Sequence, residues 1–202
     1  MDSSSIITFK SSQEPLIQSI LNTGILTNAF TDNQFTQLNL TFYTDVSDLT
    51  KCTKSYNIIL YMIHCLSSQQ IHLQKMGYSF YTFTLKDIIV VNGCYFFCIN
   101  PELIMPLKQN KYLTFYKPPI QSPFSSPELV QNDTIPFKVT YKTIYYSIGI
   151  LAIYCFHGCK QVESKQVERT SKDLLQIHNT KLYWFLLRCI DEKAEDRILL
   201  FL

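Results

Sequence analysis

The most apolar stretch, thirteen charge-free residues from Ile144 to Phe156 (IYYSIGILAIYCF), limits what this chain can become more than any other. A helix that crosses a bilayer core needs about 20 apolar residues, so this run reads as a buried helix at the centre of a globular lobe. Lys142 bounds it on one side and His157-Gly158-Cys159-Lys160 on the other. The rest of the chain must then supply apolar surface to enclose it. With 202 residues, 47% hydrophobic and 17% charged, it has enough for one sizeable core. Five glycines and eight prolines offer no flexible linker, and no repeat or low-complexity tract divides the sequence. One compact unit is expected.

Periodicity supplies the frame. Residues Glu14 to Asn28 place Leu16, Ile17, Ile20, Leu21 and Ile25 on one helical face, although Gly24 weakens the end. Gln37 to Tyr43 alternates as a strand does. From Thr53 to Met76 the residues Ile59, Met62, Ile63, Leu66, Leu73 and Met76 line one face of a long helix, and Gly77 stands where a terminating glycine belongs. Two β-rich runs, Ile88 to Val91 and Cys94 to Ile99, flank Asn92-Gly93, a strong hairpin signal. Seven prolines between residues 100 and 140 exclude long regular elements and predict an ordered excursion across the surface. Helices are expected again from Tyr141 and from Leu174 to Cys189, before a short apolar run from Ile198 to Leu202.

Charge and cysteine usage narrow the function classes. The net charge of +2 is small, though residues 1–50 carry −4 and the remainder +6. The lysines are dispersed along the chain, which reads as a solvated surface and not as a nucleic-acid interface. An odd number of cysteines, seven, behind an N-terminus with no secretory pattern predicts a reducing, intracellular setting. The sequons at Asn39 and Asn132 are then chance matches. Cys155, His157 and Cys159 could be three metal ligands, but a fourth is missing, and burial is the ordinary fate of a free cysteine. His64 and His72 stand two turns apart on the long helix and cover packing. No metal and no cofactor is expected.

The order long helix, loop, hairpin, proline-rich loop and buried helix resembles the large lobe of eukaryotic-type protein kinases. The resemblance sharpens at GYSFYTFTLKDIIVV, residues 77–91, which is similar to the family's catalytic loop, Gly-x-x-His-Arg-Asp-Leu-Lys-Pro-x-Asn-Ile-Leu-Val. FFCINPE, residues 96–102, is similar to the apolar strand that leads into Asp-Phe-Gly. Ser125-Ser126-Pro127-Glu128 resembles the Ala-Pro-Glu that ends the activation segment. Tyr146-Ser147-Ile148-Gly149-Ile150-Leu151 resembles Trp-Ser-x-Gly-x-x-Leu of the central helix, and LLRCIDEKAEDR, residues 186–197, the late helix and the Asp-Pro-x-x-Arg after it. The matches span about residues 55–200, and their shared order and spacing carry more than any one of them.

The resemblance implies an α+β, mainly helical fold with minimal sheet. Residues 1–50 would be a reduced small-lobe remnant, a helix plus a strand, and residues 51–202 the large lobe. It also implies which residues are missing. Phosphoryl transfer uses a carboxylate base, a carboxylate and an amide on magnesium, and a lysine on the phosphates. The base position is Thr82, with Phe80 in place of the family's His, and a threonine hydroxyl is no base near neutral pH. The metal-binding Asp of Asp-Phe-Gly falls on Asn100, a poor ligand for a hard cation, and Asp87 stands at the metal-binding Asn. No Gly-x-Gly-x-x-Gly occurs before Asp45, and Lys10, the only basic residue before Lys51, lies in nothing like Val-Ala-Ile-Lys. Ile144 replaces the central helix's Asp.

What the family uses as framework remains. Its Ala-Pro-Glu glutamate pairs with the arginine after the late helix, and both are present, as Glu128 and Arg197. The expectation is a pseudokinase-like protein-binding or assembly module, with exposed aromatics among Tyr112 to Tyr116 and Phe124 docking a partner protein. The alternative is an unconventional nucleotide-binding kinase that keeps Asp87 as its metal ligand. The Ile, Asn, Tyr and Lys bias of AT-rich coding is similar to that of degenerate kinase-like proteins of large DNA viruses. That likeness implies viral structural proteins as partners, in host cytoplasm or the virion; the dispersed lysines and the short apolar run lead to no expected nucleic acid or membrane partner.

Overall fold

The structure is a computed structural model and describes residues 5–10, 13–24, 30–34, 37–42, 46–48, 55–109, 111–132, 134–157, 174 and 177–199. In chain order the elements are β1 (Ser5–Lys10), α1 (Glu14–Leu21), β2 (Phe30–Gln34), β3 (Gln37–Phe42), β4 (Val46–Asp48), α2 (Tyr56–Lys75), β5 (Tyr78–Phe80), β6 (Ile88–Val91) and β7 (Tyr95–Cys98). There follow β8 (Ile104–Pro106), β9 (Tyr112–Phe115), α3 (Pro127–Val130), β10 (Phe137–Thr140), α4 (Thr143–His157) and α5 (Lys181–Cys189). The fold mixes helices with small antiparallel sheets, ordered β1-β3-β2, β4-β6-β7, β5-β8 and β9-β10 among the described residues.

The core forms where α2 packs beside α4. Ser55 starts α2 by accepting the Ile58 N–H on its hydroxyl, and Gly77 lets the chain leave it at a φ of 80°. Ile59, Met62, Ile63, Leu66 and Leu73 are buried along its inner face. The charge-free run is α4, as its composition requires, with Ile144, Ile148, Leu151, Ala152 and Cys155 enclosed. A side chain at Gly149 would begin 2.8 Å from Cys189 Cβ and 2.9 Å from Ile190 Cγ2. Glycine there sets how closely α4 and α5 approach.

Several expected boundaries move. The first helix ends at Leu21 and not at Asn28. The Thr23 hydroxyl donates to the Ile20 carbonyl, and Gly24 turns the chain at a φ of 68°. Ile25 to Ala29 lie outside the described residues. The last helix starts at Lys181, capped by Thr180, and not at Leu174, because Asn179 takes a left-handed φ of 66° just before it. The hairpin is as its Asn-Gly pair predicts. Asn92 and Gly93 adopt φ of 51° and 69°, and the Cys94 N–H closes the turn on the Val91 carbonyl.

Sheet is more extensive than expected. Beside the hairpin stand a three-stranded sheet before residue 43 and two ribbons, one within the proline-rich segment (β9-β10) and one that joins its β8 to β5. Nor does that segment only cross the surface: Leu103, Leu113, Phe115, Phe124 and Leu129 are buried. Each of its strands is three or four residues long, too short to show an alternation, and each pairs with a distant partner.

Candidate functional site

Two adjacent glutamines of α2 hold the loops that carry Thr82 and Asn100. Gln70 accepts the Phe80 N–H and donates to Ser79 Oγ, 2.8 Å away, fixing the strand that precedes Thr82. Gln69 accepts the Cys98 N–H at 2.9 Å and donates to the Cys98 carbonyl at 2.8 Å, fixing the strand that precedes Asn100. It also reaches Ser19 of α1. Both are buried and matched by backbone partners, as buried amides must be. Sequence reasoning passed over them. They follow Leu66 by three and four residues, which puts them on the buried face, and polar residues there signal a structural hydrogen bond.

Thr82 is fully buried, and its hydroxyl joins a cluster with Ser122 Oγ at 2.8 Å and Ser125 Oγ at 3.1 Å. Ser122 Oγ also accepts the Phe124 N–H, and Ser125 Oγ the Ser122 N–H. This threonine ties the loop after β5 to the segment before α3, a structural task with no base in it. Its neighbour Tyr81 sets its ring edge-on to Phe115, with centroids 5.3 Å apart. Burial raises the Tyr81 phenol above its ordinary range, so it stays protonated near neutral pH.

Asp87 and Asn100 come together. Asn100 Nδ2 donates to Asp87 Oδ1 at 2.7 Å, while Asp87 Oδ2 accepts the Thr84 N–H at 2.6 Å and the Thr84 hydroxyl at 2.8 Å. Asn100 Oδ1 in turn accepts the Glu102 N–H. Both carboxylate oxygens are thus engaged by donors of the chain itself, in the manner of a capping box. A cavity of about 310 Å³ lies nearby, lined by Gln13, Leu16, Tyr78, Pro101, Glu102 and Ile104 among others. Among the described residues its one charged lining residue is the acid Glu102.

Glu128 and Arg197 form a bidentate pair, Nη1 to Oε1 at 2.6 Å and Nη2 to Oε2 at 3.0 Å. Arg197 is fully buried, donates Nε to the Asp191 carbonyl at 2.8 Å, and stacks its guanidinium over the Tyr146 ring of α4 at 5.0 Å. Burial acts to raise the Glu128 pKa, but the hydrogen bonds and charge of Arg197 prevail and hold it below the ordinary carboxylate value. The neighbouring Ser126 bonds Thr143 at the start of α4.

Other expected roles change. Phe124 and Phe115 are buried, Phe124 against Phe83 and Tyr154, so neither can dock a partner; of that set Tyr116 is the exposed ring. Cys155 is buried on α4, while Cys159 and the side chain of His157 lie outside what is described. Among the described residues no three potential ligands converge on a metal position, and no helix is long and apolar enough to cross a membrane. Lys10 falls in β1, paired through its backbone with Gln37 of β3. The sequence matches no family model and no curated protein.

Proposed function

We propose that this chain is a catalytically inactive, protein kinase-like protein whose fold serves protein binding or assembly. On this reading α1 with the β1-β3-β2 sheet stands for a shortened small lobe, and α2 through α5 for the large lobe. The order of elements supports it, as does the placing of each motif: residues 81–87 after the long helix, Asn100 after the hairpin, Glu128 opening α3, Gly149 inside the central helix, and Arg197 after the last helix.

The observation that carries inactivity is the Asp87–Asn100 hydrogen bond. Asp87 is the one carboxylate left at the metal positions, and its oxygens already accept three hydrogen bonds from Asn100 and Thr84. Binding magnesium there would break them, with only a neutral amide to share the ion. At the base position the Thr82 hydroxyl is buried among serines. Among the described residues, thiols at Cys65, Cys94, Cys98 and Cys189 that form no disulfide support an intracellular setting, host cytoplasm or virion if the chain is viral, with viral structural proteins then the natural partners.

Thermal melting with and without MgATP tests the reading. A nucleotide-binding kinase held at about 100 times its dissociation constant gains about 2.7 kcal/mol, whereas this protein should show no shift. Saturable stabilisation together with phosphate transfer, abolished by Asp87→Ala, would establish the unconventional kinase instead.

A further inference from the structure

The β9–β10 ribbon turns a row of lysines and exposed apolar side chains to solvent. Its strands pair Phe115 with Phe137 and Thr114 with Lys138, so Leu113, Phe115, Phe137 and Val139 face the core. Lys138 projects from the opposite face and is exposed, as are Lys108, Lys111 and Lys117 at the ends of β9. Lys108 Nζ donates to Tyr116 Oη at 2.8 Å and lies 5.1 Å from the centre of its ring, while Lys111 Nζ lies 5.3 Å from that of Tyr112. No acidic residue occurs between Glu102 and Glu128. Where β9 ends and β10 begins stand Tyr116, 65% exposed, and Ile135, 46% exposed; Ile120, also 46% exposed, follows four residues on. Strand pairing brings Lys138 beside the stretch that carries Lys108, Lys111 and Lys117.

We propose that this ribbon binds an acidic, extended segment of a partner protein, its carboxylates on Lys108, Lys111, Lys117 and Lys138 and an apolar side chain against Tyr116 and Ile135. The proposal rests on the protein-binding reading above and names the partner's chemistry. Charge complementarity selects the occupant. Nucleic acid fits less well: single strands are held by successive bases stacking on several open aromatic faces, and of the ribbon's rings Tyr116 is the exposed one, with Lys108 over one side of it. The ribbon is four residues long, roughly 13 Å, which suits a short peptide and not a duplex backbone.

Fluorescence anisotropy with a labelled peptide of glutamate and aspartate containing one phenylalanine tests this on the full chain. Wild-type protein should bind saturably and lose affinity as ionic strength rises. Lys108→Glu with Lys138→Glu should weaken binding about tenfold or more, and Tyr116→Ala should weaken it severalfold. Lys75→Glu, on the exposed side of α2, should change nothing. Lys108→Gln with Lys138→Gln provides a milder pair should the reversals disturb folding, and melting curves verify each variant. Absence of saturable binding, or binding indifferent to the ribbon variants, overturns the proposal. So does tighter, ribbon-dependent binding of oligouridylate or of phosphatidylserine vesicles. The assay contains no nucleotide, so its failure leaves the non-catalytic reading standing, and phosphate transfer by the protein would sink that reading without touching the peptide result.

Discussion

Arg197 meets Glu128 through two hydrogen bonds, at 2.6 and 3.0 Å, and closes 69 residues of chain into one clamp. The guanidinium is fully buried and the carboxylate side chain 21% exposed, so removing either partner strands charge in the interior. Glu128→Gln should therefore destabilise the fold by about 3 kcal/mol in urea denaturation. Because the folded-state pKa of Glu128 is depressed, its contribution is fully present above the unfolded value of about 4.3 and is lost as pH falls through the folded value. The gap in stability between wild type and Glu128→Gln should narrow on acidification below about pH 4. A gap that stays constant with pH would mean the pair contributes nothing through its charge.

Gly149→Ala should destabilise by about 1–3 kcal/mol, since the added methyl would press on Cys189, the last residue of α5, and on Ile190 just after it. Adding Ile190→Ala should recover part of the loss by opening one side of the contact. If the single variant melts with wild type, α4 and α5 are less tightly apposed than described.

Asp87→Ala should lower stability by about 1–2 kcal/mol, through the hydrogen bonds lost to Thr84 and Asn100. It should leave the response to MgATP as flat as in wild type. A metal ligand would behave oppositely, with little effect on the free protein and a large one on nucleotide binding.

On the proposed kinase-like reading, Thr82→Asp combined with Asn100→Asp should transfer no phosphate. The pair restores two carboxylates but supplies no lysine or glycine-rich loop to position phosphates, and positioning and charge act together. Radiolabelled phosphate incorporation by the double variant would show that the losses at these two positions alone silence the fold.

Cys65, Cys98 and Cys189 should resist alkylation near neutral pH until the protein unfolds, whereas the half-buried Cys94 should react before them. Burial pushes the Cys65 thiol up to about 11 and raises Cys98 and Cys189 further, so almost no thiolate is present to react. Peptide mapping after alkylation in native and denaturing buffer separates the sites. Early labelling of Cys98 would reveal opening of the strand that Gln69 holds.

The sequence by itself determined the elements whose signals are local. The charge-free run had to become the enclosed α4, the Leu66-to-Leu73 periodicity with Gly77 set the end of α2, and Asn92-Gly93 set the hairpin turn, because each depends on neighbours within a few residues. It also marked Glu128, Arg197, Thr82, Asp87 and Asn100 as positions to compare. The Thr84–Asp87 capping box is local, but tertiary structure alone brought Asn100 across the hairpin to the second oxygen of Asp87, and made Thr82 a hydroxyl bridge because the 122–125 turn lies against it. The same holds for the β9–β10 ribbon and the burial of Phe124. Strands of three or four residues carry too little pattern to announce themselves, and their partners are fixed only when the core closes beneath them.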